Sequence, residues 1–337
     1  TGNGALADRG AGAYFRVAAD VTGSSFIGNT ASNRAGGAYF NATAMLTNTN
    51  FLSNTATARA GGAYFAGPTT VTGGRFQANQ CTGSCAGGGL FSFGTLTLSS
   101  VELIGNTTGG QGGGAYIEGI ANLVASTIAQ NHSAAEGGGL FSSGTAQVAL
   151  DATRVTSNTI ATGDGGGIAN QGGMVSLTNG SRVQANVTGG WGGGGIANLG
   201  GQLTIDASTV ASNTATSGGG LYNPDSSGAI TLTNGSQVVL NRANTGAGIN
   251  TSQGSRVTID ASTVATNTAL FGGGGIYATN SNTVISLTNG SRVQANHAAN
   301  GGGIYFDSGA AVAIDGSTLL ANTATTSGGG LLNDGST

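Results

Sequence analysis

The stretch Asn213-Thr-Ala-Thr-Ser-Gly218-Gly219-Gly220-Leu221-Tyr222-Asn223, continued through Pro224–Gly228, Ala229-Ile230-Thr231-Leu232-Thr233, Asn234-Gly235 and Ser236-Gln237-Val238-Val239-Leu240 to Asn241, contains one whole structural unit. Ile230 and Leu232 alternate with polar residues, the period of a half-buried strand. Pro224–Gly228 and Asn234-Gly235 carry turn chemistry. No window has a helical period, and the Gly and β-branched content disfavours helix. Three short strands fit between the two asparagines.

The unit repeats over the whole chain. Asn recurs at Asn3, Asn29, Asn54, Asn79, Asn106, Asn131, Asn158, Asn186, Asn213, Asn241, Asn267, Asn296 and Asn322, a spacing of 25–29 residues. A glycine cluster follows most of them, as in Gly36-Gly37, Gly87-Gly88-Gly89 and Gly301-Gly302-Gly303. Self-similarity at this period means a solenoid, each repeat one coil that cannot bury its apolar side alone. A hexapeptide rule is absent, and crossovers between parallel strands are right-handed in ~98% of cases. The sequence therefore predicts an all-β, right-handed parallel β-helix of 12–13 coils, three short strands per coil, roughly 60 Å long at ~4.8 Å per coil. It forms one domain over 1–337. Coils in 1–160 are more divergent; coils in 161–337 carry a 55-residue, two-coil super-repeat, seen in Val175-Ser-Leu-Thr-Asn-Gly-Ser, Ile230-Thr-Leu-Thr-Asn-Gly-Ser and Ile285-Ser-Leu-Thr-Asn-Gly-Ser.

Stacking accounts for the composition. Each recurring Asn is expected to bond its amide to the Asn above and below, as in cross-β ladders. Charged residues are 7% of the chain, because like charges would stack at coil spacing and repel. One column is read as Asp151, Asn179, Asp206, Asn234, Asp260, Asn289 and Asp315, with an amide between successive carboxylates, beside a partly basic column of Arg154, Arg182, Gln237 and Arg292. The carboxylates are too far apart for a Ca²⁺ site, and no metal or cofactor is expected. After each glycine cluster, the first large residue (Tyr39, Tyr64, Leu90, Leu140, Ile168) is read as inward. The second (Phe15, Phe40, Phe65, Phe91, Phe141) is read as an exposed stripe for lateral contact.

A net charge of −3 speaks against nucleic acid as a partner, and no apolar run is long enough to span a bilayer. Cys81 and Cys85, in Cys-Thr-Gly-Ser-Cys, are read as a disulfide staple formed in an oxidising compartment. Too few ligands lie nearby for zinc, and the spacing is wrong for a redox motif. For sugar chemistry, Glu136 and Asp164 precede glycine corners in neighbouring coils, with Trp191 at the matching place one coil on. Paired carboxyls of this kind are what glycosidases use; a solvated loop edge would have the same residues. His132 and His297 each follow a ladder Asn and lie far apart.

Phe26-Ile-Gly-Asn29, Phe51-Leu-Ser-Asn54 and Phe76-Gln-Ala-Asn79 alternate with Gly-Gly-Ala-Tyr at 36–39 and 61–64. Paired Phe-x-x-Asn and Gly-Gly-Ala motifs resemble the repeats of chlamydial polymorphic membrane proteins, and the later Gly-Gly-Gly-Ile coils are similar to large bacterial surface proteins of β-helix type. The resemblance implies an exported passenger, structural or adhesive, outside the cell. The expected function is thus a non-enzymatic extracellular β-solenoid belonging to a cell-surface fibre, with a carbohydrate-active enzyme or a carbohydrate-binding adhesin as the alternative. Expected partners are copies of itself, end to end or lateral, and glycans of a host or neighbouring cell; direct membrane insertion is not expected. Neither Thr1-Gly2-Asn3 nor Gly328–Thr337 has a recognisable cap, which fits either a segment of a longer solenoid or, the favoured expectation, end-to-end pairing of copies.

Overall fold

The computed structural model describes residues 2–5 and 9–335; Thr1 and Thr337, named above at the two ends of the sequence, lie outside the described residues. Every strand pairing is parallel, no helix occurs among the described residues, and the coils stack into a β-solenoid of about 12 turns. Registered partners lie 25 to 29 residues apart, as in Ser25↔Asn50 and Ser262 N to Ser291 Oγ.

Four strand positions build each coil, one more than the sequence suggested. In the second coil, face one is Ala38–Phe40, face two Ala44–Thr47, face three Asn50–Leu52 and face four Thr55–Ala56. Faces one to three are sheets of 13, 12 and 12 strands. Face four follows the ladder Asn and holds only two residues per strand in the early coils, too short to show as an alternating pattern. It forms an eight-stranded sheet up to Val187–Thr188. It resumes as a four-stranded sheet from Arg242–Thr245, with isolated bridges at Thr214 between them.

The core is a set of columns. Face three supplies Phe51, Phe76, Leu103, Ile128, Val155, Val183, Val210, Val238, Val264 and Val293, all fully buried. Face one supplies Ala38, Ala63, Leu90, Ala115, Leu140, Ile168, Ile196, Leu221 and Ile249. Where face three carries Phe, face one carries Ala; where face three shrinks to Val, face one grows to Leu or Ile. At this pair of positions a large residue on one face is matched by a smaller one on the other, as close packing favours.

Leu90, Leu140 and Ile168 point inward as expected, but in the early coils this exchange reverses the expectation. Ala38 and Ala63 register with Leu90, so Tyr39 and Tyr64 register with Phe91. Tyr39 and Tyr64 therefore point outward, while Phe40 and Phe65 point into the core and are fully buried. The anticipated exposed Phe stripe does not exist. Alanine hid the inward position because large phenylalanines across the coil already fill that space. In the outward column Tyr39, Tyr64, Phe91, Tyr116 and Phe141 are stacked, with centroids 4.6–4.9 Å apart, and Tyr14 meets Tyr39 edge-on at 5.3 Å. The chain approaching the glycine corner folds over it, and Tyr39, Tyr64 and Phe91 form a small second cluster with Ala35 and Ala60.

Candidate functional site

The asparagine column runs through the whole solenoid. Each Nδ2 donates to the Oδ1 of the Asn one coil on, from Asn3–Asn29 at 3.1 Å and Asn29–Asn54 at 2.9 Å to Asn296–Asn322 at 3.0 Å. The same Oδ1 also accepts the preceding Asn's backbone N–H, as from Asn131 to Asn158 at 3.0 Å. The second amide proton goes to a carbonyl of face three, Asn158 to Ile128 O at 3.0 Å. Oδ1 thus accepts two bonds and Nδ2 donates two. A fully buried amide is tolerated only when satisfied in this way.

Two local features create the column. The residue before each ladder Asn has positive φ, including Ser53, Ala78, Leu240 and Thr266 as well as glycines. That left-handed residue turns the Asn side chain inward. The last glycine of each cluster then leaves it room: a Cβ on Gly139 would sit 3.0 Å from Asn158 Nδ2 and 2.7 Å from Gly167 O. These glycines are needed for close approach as much as for conformation.

Two further polar columns escaped the sequence reading. At the corner between faces two and three, Ser126, Thr153, Ser181, Ser208, Ser236, Ser262 and Ser291 are buried. Hydroxyl oxygens accept backbone N–H groups from the previous coil, as from Ser126 to Thr153 at 3.2 Å and from Thr153 to Ser181 at 3.0 Å. They donate to carbonyls such as Leu123 O and Ile205 O. The Ser after each Asn-Gly or Asp-Ala corner was the available signal. On face one, the column of Phe40 and Phe65 continues as Ser92, Ile117, Ser142, Asn170, Asn198 and Asn223. Asn170 donates to Asn198 at 2.8 Å and Asn198 to Asn223 at 2.9 Å. Asn170 Oδ1 and, in the coil before it, Ser142 Oγ are both left without a partner.

The acidic column is corrected in register. Asp151, Asp206 and Asp260 register with Thr178, Thr233 and Thr288, not with asparagines. Asn179, Asn234 and Asn289 sit one position later, in left-handed conformation, because each Asn-Gly corner has one residue more than Asp-Ala. Their amides lean back to the carboxylates, Asn179 Nδ2 donating to Asp151 Oδ1 at 2.7 Å and Asn234 Nδ2 to Asp206 Oδ1. The amide therefore still separates the charges, from a neighbouring column. Arg154 and Arg182 are direct neighbours in theirs, followed by Thr209 and Gln237.

Cys81 and Cys85 are joined as a disulfide with Cα atoms 6.0 Å apart. It closes the loop between face four and the glycine corner. Both residues are buried beside Ala31 and Ala56, and Thr108 Oγ1 donates to Cys85 O at 2.9 Å.

Glu136 and Asp164 occupy successive positions of one column at the solenoid's edge. Gly112 N donates to Glu136 O and Gly137 N to Asp164 O. The Glu136 carboxylate accepts from Gln111 Nε2, and Asp164 Oδ1 accepts Gly192 N at 2.7 Å. Burial raises the Asp164 carboxyl above its usual range; the Gly192 N–H opposes the rise and the Glu136 charge adds to it. Trp191 is not in this column: Gly192 is, and Trp191 bonds across to Gly163. Trp191 is 73% exposed. It borders a shallow depression with Thr162, Gly163, Gly189, Gly190 and Thr216, one position away from the carboxylates. The structure thus brings Glu136 and Asp164 together and sets Trp191 to one side. His132 and His297 lie on face four, each with Nδ1 against a threonine of the next coil, Thr159 and Thr323.

No protein family matches this chain, and neither the curated proteins nor the solved structures contain a detectable relative. The structure shows a β-helix repeat protein, and no match supports the likeness to chlamydial repeats beyond that.

Proposed function

We propose that this chain is a non-enzymatic structural or adhesive rod of a bacterial surface protein, working outside the cell and belonging to a fibre. The observation that carries the reading is the investment in axial continuity. One amide column links coils from Asn3 to Asn322, and hydroxyl and aromatic columns run parallel to it. Such stacking stiffens a rod and leaves its length adjustable by whole coils. The Cys81–Cys85 disulfide fits an oxidising compartment. The super-repeat supports end-to-end association of copies, since coils 55 residues apart offer nearly the same edge. Sedimentation velocity with negative-stain microscopy tests the assembly: filaments of rod width support it, and monodisperse monomers at every concentration refute it.

A second reading, a carbohydrate-active enzyme, rests on the Glu136–Asp164 pair in adjacent coils and the raised Asp164 carboxyl. Reducing-end release from a polysaccharide, abolished by Glu136→Gln, would establish it. The structural reading expects no such release from wild type.

A further inference from the structure

The chain's charges are segregated along the rod. Residues 1–99 hold five Arg and two Asp, a net of +3; residues 100–337 hold five Arg and eleven acids, a net of −6; the sum is the −3 of the whole. Four of the five early arginines gather on one side, around the outward aromatic column. Arg9, Arg34 and Arg59 register directly with one another. Each guanidinium lies over an aromatic ring one coil on: Arg9 over Tyr39 at 5.3 Å, Arg34 over Tyr64 at 6.0 Å, Arg59 over Phe91 at 4.9 Å. Arg16 joins them over Tyr14 at 5.9 Å. The fifth, Arg75, is on face three, its Nε 3.6 Å from Glu102.

Like charges in register repel; elsewhere such neighbours come in pairs, Arg154 with Arg182 and Glu136 with Asp164, whereas here three arginines stack in succession. Here the column continues as Ala86 and Gln111, and its first acid is Glu136, two coils beyond Ala86. The short side chain of Ala86 leaves a groove lined by Arg59, Ser84, Ala86, Phe91, Gln111 and Tyr116. Glu118 also lines that groove.

We propose that the arginine column is a binding site for a linear anionic polysaccharide, carboxylated or sulfated, lying along the rod axis. A guanidinium engages carboxylate or sulfate through paired N–H donors. The columns repeat at about 4.8 Å, close to the length of one pyranose unit, so an extended glycan presents one anion per coil. The ring contacts hold the guanidiniums in place before the ligand arrives. Tyr39, Tyr64 and Phe91 are buried under the covering chain, so bases of a single-stranded nucleic acid find no open stacking face. The site deepens the adhesive reading of the rod but does not depend on its assembly into fibres.

The test is binding of the whole chain to immobilised heparin and polygalacturonate, with neutral dextran and oligo-dT as comparators, over a range of salt. The expected result is salt-sensitive binding to at least one anionic glycan, none to dextran and weaker binding to oligo-dT. R34Q/R59Q places at two positions the residue the column already holds at Gln111. It should lower affinity at least tenfold and reduce the salt slope by about two, one per removed charge. Its circular dichroism and melting temperature should match wild type. R182Q/R292Q, on the other side of the rod, should bind as wild type. No glycan binding at low salt, equal loss in both double variants, or stronger binding to oligo-dT would overturn the proposal. Sedimentation of the same variants separates this result from the assembly question.

Discussion

Single residues in this chain are judged by what stands above and below them. Asn158 accepts from Asn131 and donates to Asn186 and Ile128 O, all in a dry interior. Asn158→Ala orphans donors in one coil and acceptors in the next, and should cost on the order of 3 kcal/mol in denaturant unfolding. Asn158→Asp should cost more: it keeps the acceptor, loses both donors, and faces two carbonyl oxygens with a charge. Equal stability for the aspartate variant would contradict the ladder. Asp164 follows opposite logic, since its carboxyl is raised by burial. A raised acid costs stability when ionised, at pH above its folded value, and the cost disappears below the ordinary carboxylate range. Asp164→Asn keeps an oxygen for Gly192 N–H. It should therefore melt higher than wild type at pH 7, with the gain vanishing near pH 3; a gain independent of pH would rule this cause out.

At the scale of the strand, the deciding variable is which face a residue takes. In Ala63–Phe65 the inward residues are Ala63 and Phe65, although Tyr64 is the first large one. Phe65 is fully buried against Phe40 and Phe76, at 5.4 and 6.3 Å between centroids. Phe65→Ala should destabilise by about 3–5 kcal/mol, the usual cost of emptying such a site. Phe93→Ala, at an exposed turn position, should fall within about 0.5 kcal/mol of wild type. An outward Phe65 would make the two alike. The strand residues also show how the core changes along the molecule: Phe opposite Ala early, Val opposite Leu or Ile later.

At the scale of the molecule, the solenoid is a sum of nearest-neighbour interfaces. Val175 and Ile230 occupy one column two coils apart, through Leu203. Deleting residues 175–229, one super-repeat of 55 residues, joins Met174 to Ile230 with every column intact. The shortened chain should fold, with wild-type-like circular dichroism and a cooperative melt. Deleting 175–228 removes one residue fewer, shifts face two by one position and turns its apolar side outward. That variant should aggregate or melt far lower, and equal behaviour of the two would refute strict column registry. The same additivity lets charge differ along the rod, because no coil is constrained by distant ones.

The sequence by itself determined the architecture: solenoid, period, parallel strands and coil number are all written in the spacing of Asn and Gly, since a stacked fold repeats its chemistry at the interval at which it repeats its backbone. It also marked the Asp corners, although not the one-residue offset that places Asn179 beside rather than above Asp151. Only the tertiary structure decided which side of face one is inside. Alternation gives two opposite answers of equal periodicity, and the choice depends on volumes contributed by phenylalanines a dozen residues away. It also decided that Trp191 stands apart from Glu136 and Asp164, and that Arg9, Arg34 and Arg59 share one column over one ring stack. Corners of unequal length displace residues that counting alone aligns, so side-chain neighbours across coils follow from hydrogen-bond register and not from spacing.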